Sequence, residues 1–345
     1  MHYRPLYYKN NKLHLLDQKA IPWKTTQRVC DTAKDVATSI TDMTIRGAPL
    51  IGQAACWGLY LDLRRCDDLK RWDKVWIAAF TILKNSRPTA VNLVAAMENM
   101  GTLINDASLS ISQRLDLMHK TLIEQEKTWI DITDRMAKNA ARLLSKGSTV
   151  LTHCNTGRLA TVGRGTALAA IEEGFLQGKV RHVYATETRP YMQGSRLTMW
   201  ELKQMKIPAT LITDSMVSYL MATHKIDAVL TGCDRVALNG DTANKIGTLN
   251  LAIAARYFNI PFYIVGPKEN IDPRAHTGAQ IPIEERSSDE VVKIAGKQMS
   301  PKGTKAWHPA FDVTPHTLIT SIVTEECVWD PKSDAYPTTN GKVPA

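Results

Sequence analysis

Two short stretches of this chain hold residues able to act on a substrate. Thr152-His153-Cys154-Asn155 closes one apolar run, and Thr231-Gly232-Cys233-Asp234-Arg235 closes another, so that Cys154 and Asp234 are 80 positions apart. A thiol becomes a base or nucleophile once ionised, and a carboxyl gives or takes a proton. Each also has a plainer reading. A cysteine at a strand end is commonly a small buried apolar group, and an aspartate there commonly caps a helix or pairs with an arginine. A third stretch, Asn239-Gly240-Asp241-Thr242-Ala243-Asn244-Lys245-Ile246-Gly247-Thr248, leads into an apolar segment. A Gly/Asp/Asn loop at a helix start would offer backbone N–H groups to a phosphate, with Lys245 adding positive charge. The plainer reading is N-capping by Asp241 or Asn244. Three more stretches set a basic or amide group beside tight-turn residues: Ile45-Arg46-Gly47-Ala48-Pro49, Ser86-Arg87-Pro88 through Asn92-Leu93, and Thr188-Arg189-Pro190 through Gln193-Gly194. A short stiff loop preorganises a guanidinium for a bidentate grip on phosphate, although solvated loop arginines are commoner.

These residues need elements to hold them, and the chain changes texture along its length. Tyr3–Tyr8 and Leu13–Leu16 flank Lys9-Asn10-Asn11 and predict a hairpin. From Asp31 to Ser145 apolar residues recur at helical spacing, over 50–64, 73–84, 91–104 and 111–145. Lys146-Gly147-Ser148 reads as a helix stop. Beyond it come short apolar runs, Thr149–Cys154, His182–Thr186, Thr210–Thr213, Ala228–Gly232 and Pro261–Val265, with helices predicted at 160–173, 195–205, 215–223 and 243–258. Such alternation predicts an α/β fold with a parallel sheet covered on both faces, whose ligands bind beyond the carboxyl ends of the strands. The expected division is a mainly helical N-terminal domain over residues 1–146, a catalytic domain over 147–330 and a flexible tail over 331–345.

Composition narrows the function classes. Gly157, Gly163 and Gly165 are spaced G-x5-G-x-G rather than G-x-G-x-x-G, so turn and packing glycines are preferred to a dinucleotide fingerprint. The six cysteines form no C-x-x-C pair, which removes the main support for a zinc ribbon or redox dithiol. No cofactor and no metal are expected. The net charge of +9 comes from 43 basic residues against 34 acidic ones. They are dispersed, without the basic cluster of a nucleic-acid binder, so an anionic small substrate is the better partner. No apolar run is long enough to span a membrane, and the N-terminus lacks the features of a signal peptide. A cytoplasmic location is expected.

Taken together, the motifs resemble the methylthioribose-1-phosphate isomerase family. The resemblance is carried by Arg46-Gly47-Ala48-Pro49, Arg87 through Leu93, Thr152 through Asn155, Glu187-Thr188-Arg189-Pro190 with Gln193-Gly194, and Gly232 through Val236. Asn239-Gly240-Asp241 with Ala243 through Thr248, Ile281 through Arg286 and Pro309 through Pro315 complete it, in order from about residue 12 to residue 326. It implies a Rossmann-like C-terminal domain after a smaller helical one, usually as a homodimer, and conversion of an aldose 1-phosphate to a ketose 1-phosphate in methionine salvage. It also implies that Cys154 and Asp234 are the catalytic pair, and that Arg46, Gly47, Ala48, Arg87, Gln193, Asn244 and Lys245 contact a phosphorylated pentose. Cys233 stands where the family usually has Ala, Thr186 where Asp is common, and Trp307-His308 where a Tyr-Asn-like pair is usual. The fold also hosts isomerases of 5-deoxyribose 1-phosphate and ribose 1,5-bisphosphate, and non-catalytic regulatory subunits of a translation-initiation factor. An acid held protonated near neutral pH would open the sugar ring, so burial of Asp234 in an apolar site is expected.

Overall fold

A computed structural model of the chain describes residues 3–87, 91–333 and 336. They form two compact units. The first comprises the described residues up to Asp131 together with Arg158–Gly165. The second comprises Ile132–Gly157 and the described residues from Thr166 onward. The texture of the sequence changes at residue 146, where helical spacing gives way to short strands, whereas the packing divides inside the long helix that precedes it.

In the first unit, β1 (Leu6–Lys9) and β2 (Lys12–Leu16) form the expected antiparallel hairpin. Asn10 and Asn11 both take positive φ, 51° and 60°, as a two-residue turn matched to strand twist requires. β3 (Gln27–Cys30) adds to β2. α1 (Ala33–Thr41) starts with a capping box: Asp35 N–H donates to Thr32 Oγ1 and Thr32 N–H donates to Asp35 Oδ2. α2 (Ala48–Leu63) is apolar nearly all round and buries twelve residues, so it is the central helix of this unit. It packs against α1, α3 (Leu69–Ser86) and α4 (Val91–Ile104). α3 is amphipathic and buries only Trp72, Ala79 and Leu83. α5 (Ile111–Ala141) is the long helix.

The second unit is built on β4 (Ser148–Thr152), α6 (Ala167–Leu176), β5 (Val180–Thr186), α7 (Met199–Gln204), β6 (Ala209–Ile212), α8 (Val217–Thr223), β7 (Ala228–Thr231), β8 (Arg235–Val236), β9 (Thr242–Lys245), α9 (Thr248–Tyr257) and β10 (Phe262–Val265). A short α10 (Asp289–Val292), the two-residue pair β11 (Lys293–Ile294) and β12 (Lys297–Gln298), β13 (Phe311–Thr314), β14 (Ser321–Val323) and β15 (Val328–Trp329) follow. The main sheet has the order β15-β14-β10-β7-β4-β5-β6, parallel except for β15. β4, β7 and β10 are buried along their whole length, which explains their continuous apolar runs. A second small sheet, β13-β9-β8, is antiparallel. This is the expected α/β architecture, with the Rossmann-type strand order outward from β4 on both sides.

Three helices begin elsewhere than expected. Residues 158–160 make a single 3₁₀ turn and α6 starts only at Ala167, because Gly163 and Gly165 interrupt the run. Residues 194–198 form a π-type turn ahead of α7. The helix expected over 243–258 is shorter: 242–245 are strand β9, and Gly247, at φ 103°, separates it from α9. Among the described residues no helix is long and apolar enough to cross a membrane. Of the expected tail, only Pro331–Ser333 and Tyr336 are among the described residues, as are none of Pro88–Ala90.

Candidate active site

The chain leaves β4 outward to β5 and β6, then returns to place β7 on β4's other side. Between those two neighbours the winding reverses, and the crevice beyond their carboxyl ends is where such sheets bind ligands. Thr152 of β4 pairs with Leu230 of β7. Cys154 therefore emerges two residues past one register pair and Asp234 four residues past it, on the same edge of the sheet.

Cys154 is held firmly. It is buried and takes φ 63°, a left-handed conformation that costs a non-glycine residue of order 1–3 kcal/mol. Its N–H donates to Thr188 Oγ1 at 2.8 Å and its carbonyl accepts from Thr198 Oγ1 at 2.5 Å. Thr188 is itself at φ 59°, and its N–H and that of Arg189 both donate to Asp214, at 2.8 and 2.7 Å. The neighbours are equally fixed. His153 is buried, with Nδ1 2.6 Å from Thr186 Oγ1 and Nε2 2.9 Å from Ile246 O. Burial holds its proton affinity below the usual histidine range. Asn155 Nδ2 donates to Glu201 Oε1 at 2.7 Å, and Glu201 is fully buried. Gly157 lets that carboxylate approach, since a Cβ there would lie 2.3 Å from Glu201 Oε1.

Asp234 is placed by its backbone: its N–H donates to Ala243 O at 2.9 Å, which seats it beside Asn244 on β9. Its side chain is exposed, not buried as the sequence reading expected. Asp234 lies in the turn from β7 into the edge strand β8, so no strand covers it. Asn244 is buried and donates to Thr248 Oγ1 at 2.9 Å. Lys245 Nζ donates to Ala310 O at 2.9 Å and lies 4.3 Å over the Phe311 ring. The expected phosphate-cradling amides are already taken. Gly247 N–H and Leu249 N–H donate to the two oxygens of Asp312, at 2.7 and 3.1 Å, so a carboxylate caps α9. Burial pushes the Asp312 carboxyl up to about 6.

Gln193 is buried and its Oε1 has no hydrogen-bond partner among the described residues, an acceptor whose isolation costs ~1–3 kcal/mol unless a ligand donor meets it. Gly194 beside it abuts the end of β5, where any Cβ would lie 1.7 Å from Thr186 O. Arg189 is committed elsewhere: its guanidinium donates to the Pro190 and Val291 carbonyls, both at 2.7 Å, so it organises the loop. Cys233 packs over Gly266 and accepts from Asn270 Nδ2 at 3.5 Å. Burial pushes its thiol up to about 12. Among the described residues no three His, Cys, Asp or Glu side chains gather in a way that could hold a metal ion.

In the first unit, Arg46, Gly47 and Ala48 form the entry to α2. Arg46 is buried, and Gly47 is the N-cap at φ 96°, a residue with no side chain of its own to cap the helix. A Cβ on Gly47 would lie 2.2 Å from Ala160 O, so only glycine fits. Arg87 is the C-cap of α3, half-buried. The structure thus brings Cys154, Asp234, Asn244 and Lys245 to one end of the second unit's sheets, and Arg46, Gly47 and Ala48 to one helix start in the first. Sequence reading missed Thr186, Thr188, Thr198, Asp214 and Asp312 as supporting groups. Thr188 and Asp312 lie inside quoted motifs and Thr186 beside one, whereas Thr198 and Asp214 carry no motif signal at all.

Known proteins are similar to this chain over most of its length. The chain is 47% identical over 323 residues, 93% of this chain and 94% of the other, to a methylthioribose-1-phosphate isomerase of Caldicellulosiruptor saccharolyticus. It is 46% identical over 320 residues to that of Thermus thermophilus, covering 92% and 91%. The crystal structure of 5-methylthioribose 1-phosphate isomerase from Pyrococcus horikoshii matches with a TM-score of 0.90 at 36% identity, covering 95% of this chain and 93% of the other. A structure described as translation initiation factor eIF-2B, subunit delta, from A. fulgidus matches with a TM-score of 0.88 at 36% identity, covering 97% and 98%. The family model of the Initiation factor 2 subunit family matches residues 44–331, and to that family this chain belongs.

Proposed function

We propose that this chain is an aldose–ketose isomerase that converts 5-methylthioribose 1-phosphate to 5-methylthioribulose 1-phosphate in methionine salvage. Cys154 and Asp234 are its catalytic pair. The observation that carries the reading is their emergence from the neighbouring central strands β4 and β7, where the winding of the sheet reverses. Near-full-length similarity to proteins named for this reaction supports it.

The substrate sets the chemistry. Its anomeric carbon carries phosphate, so the ring cannot open to a free aldehyde, and opening requires a proton on the ring oxygen. Asp234 supplies that proton as a carboxylic acid. Because its side chain is exposed, the sugar covering it removes water from the carboxyl and favours the protonated form. Hydrogen then moves from C2 to C1. Either Cys154 as thiolate removes the C2 proton and returns it to C1, or hydride shifts while Cys154 steadies the passing charge. Both routes need a fixed thiol. Gln193, Asn244 and Lys245 are assigned to the sugar and its phosphate, as are Arg46, Gly47, Ala48 and Arg87, the first three of these because a helix start beside a guanidinium suits an anion. The reaction is assigned to the cytoplasm and to a homodimer. Exposed Leu211, Met216, Tyr219, Ile253 and Tyr257 on and beside β6, α8 and α9 give the second unit apolar surface of the kind that copies bury.

The test compares Cys154→Ser and Asp234→Asn in purified chain with 5-methylthioribose, 5-deoxyribose and ribose 5-phosphate forms of the 1-phosphate. Each variant should bind substrate while kcat falls by ~100-fold or more, and Cys233→Ala should keep near wild-type turnover. Turnover lost in Cys233→Ala and kept in Cys154→Ser would put the reactive thiol at the wrong residue. Preference for the 5-deoxy or 5-phospho sugar would move the substrate within the class. A second reading, a non-catalytic regulatory subunit, is favoured by the eIF-2B-named structure. Folded wild-type chain inactive on all three sugars would establish it.

A further inference from the structure

Four hydrogen bonds run in sequence from Cys154 to the turn after β9. Cys154 N–H donates to Thr188 Oγ1 at 2.8 Å, and Thr188 Oγ1 lies 3.2 Å from Thr186 Oγ1. Thr186 Oγ1 lies 2.6 Å from His153 Nδ1, and His153 Nε2 lies 2.9 Å from Ile246 O. The two ends fix every direction. An amide N–H only donates and a carbonyl oxygen only accepts, so Ile246 O requires the ring proton on Nε2. In a neutral ring Nδ1 must then accept from Thr186, which accepts from Thr188, whose oxygen already accepts from Cys154. Two longer approaches of Thr188 Oγ1, 3.4 Å to Thr186 O and 3.5 Å to His153 Nδ1, keep the same sense.

The ring is suited to this neutral role. It is 1% exposed, and burial outweighs the opposing pull of Asp214 in keeping a second proton off, with Lys245 acting in the same sense as burial. It also lies against Gly247, where a Cβ would come within 3.0 Å of its Cε1. A chain that starts at an amide and ends at a carbonyl has no group from which to take or give a net proton. His153, although next to the thiol in sequence, is therefore not its general base.

We propose that this one-way chain positions the Cys154 thiol, holding the residue at its left-handed backbone angle and tying it to the Ile246–Gly247 turn that directly follows Asn244 and Lys245. His153, Thr186 and Thr188 are positioning residues for the reaction, an assignment that rests on Cys154 being the reacting thiol. A merely structural network would alter stability and leave turnover alone.

Thr188→Val keeps the shape and removes the hydroxyl, while His153→Gln keeps an N–H for Ile246 O but has no acceptor at the Nδ1 position that Thr186 meets. In folded full-length chain each should lower kcat by ~10–100-fold with KM little changed, the scale expected of a displaced reacting group. Thr188→Ser should return kcat close to wild type, and the double variant should be no worse than the poorer single one, because one break severs the whole chain. Wild-type kcat in both folded single variants overturns the proposal. A measurement that needs no variant is the ¹⁵N spectrum of the His153 ring at neutral pH: the Nε2–H neutral tautomer is expected, and an Nδ1–H or doubly protonated ring overturns the proposal. Cys154→Ser keeps the two readings apart. Full turnover in it sinks the catalytic assignment itself, whereas its inactivity beside undiminished Thr188→Val and His153→Gln sinks only the positioning.

Discussion

The helices α2 and α9 begin alike and end up with opposite chemistry at their starts. Each follows a glycine in a positive-φ conformation, Gly47 at 96° and Gly247 at 103°, and each was read from sequence as a place for phosphate. At α9 the carboxylate of Asp312 takes the amides of Gly247 and Leu249. At α2 the N-cap Gly47 has no side chain of its own to cap with, and it is a guanidinium, that of the buried Arg46, that stands next to it. A helix start is an anion site only if the chain has not already filled it. The filling residue here comes from 65 positions away, on β13, the strand that pairs with β9 just ahead of the helix.

The comparison can be broken most sharply at its two glycines. Gly47→Ala adds a Cβ 2.2 Å from a backbone oxygen that cannot yield, on top of left-handed strain, and should cost ~3 kcal/mol or more. Gly247→Ala meets the rim of the His153 ring at 3.0 Å and should cost less, ~1–3 kcal/mol. Denaturant midpoints measure both, and equal losses would show that the two starts are packed alike. Next in size is Arg46→Ala. Losing a charge-assisted contact should weaken substrate binding by roughly 1.5–3 kcal/mol, read as a rise in KM with kcat little altered. An unchanged KM removes the α2 start from the substrate's contacts. The smallest effect is expected at Asp312. Its carboxyl is raised to about 6 from 3.8 by burial, so the folded chain holds this proton more tightly than the unfolded one. The group's contribution to stability is full below the ordinary aspartate range and is lost as pH climbs to about 6. Asp312→Asn should remove that fall, so stability measured from pH ~4 to ~7 should decline less in the variant than in wild type. Parallel pH curves would mean the cap does not carry the burial cost.

The parts of this molecule that sequence revealed are those whose physics is local. Val150 and Leu151 in β4, Ala228–Leu230 in β7 and Phe262–Val265 in β10 are apolar because both faces of the sheet are covered, and Lys9-Asn10-Asn11 turns because asparagine tolerates positive φ. The order of the strands, and with it the meeting of Cys154 and Asp234 on one edge, follows from that alternation. What stayed hidden depends on distant partners. Thr242–Lys245 has no alternating pattern and precedes a helix, so it read as helix; its strand character comes from pairing with Phe311–Thr314. Threonines 186, 188 and 198 carry no periodic signal, since a hydroxyl is informative only once its acceptor is known. The exposure of Asp234 was also illegible, because nothing in Gly232-Cys233-Asp234 tells that the chain there turns into an edge strand rather than under a helix.

The segment Arg158–Gly165 interrupts the second unit's chain between β4 and α6 yet packs with the first, where Leu159 O receives Gln18 Nε2 at 2.6 Å and Ala160 crowds Gly47. The polypeptide thus passes from one unit to the other three times, at 131/132, 157/158 and 165/166. A single cut cannot separate them cleanly. A fragment ending at residue 146 would keep every helix of the first unit and lose the carbonyl that holds Gln18 and the wall that fixes Gly47. For gene shuffling this means that the helical part and the sheet part cannot be traded between relatives by one crossover. Any exchange has to carry these eight residues along with the helices, and so must recombine inside the loop that begins just beyond Cys154.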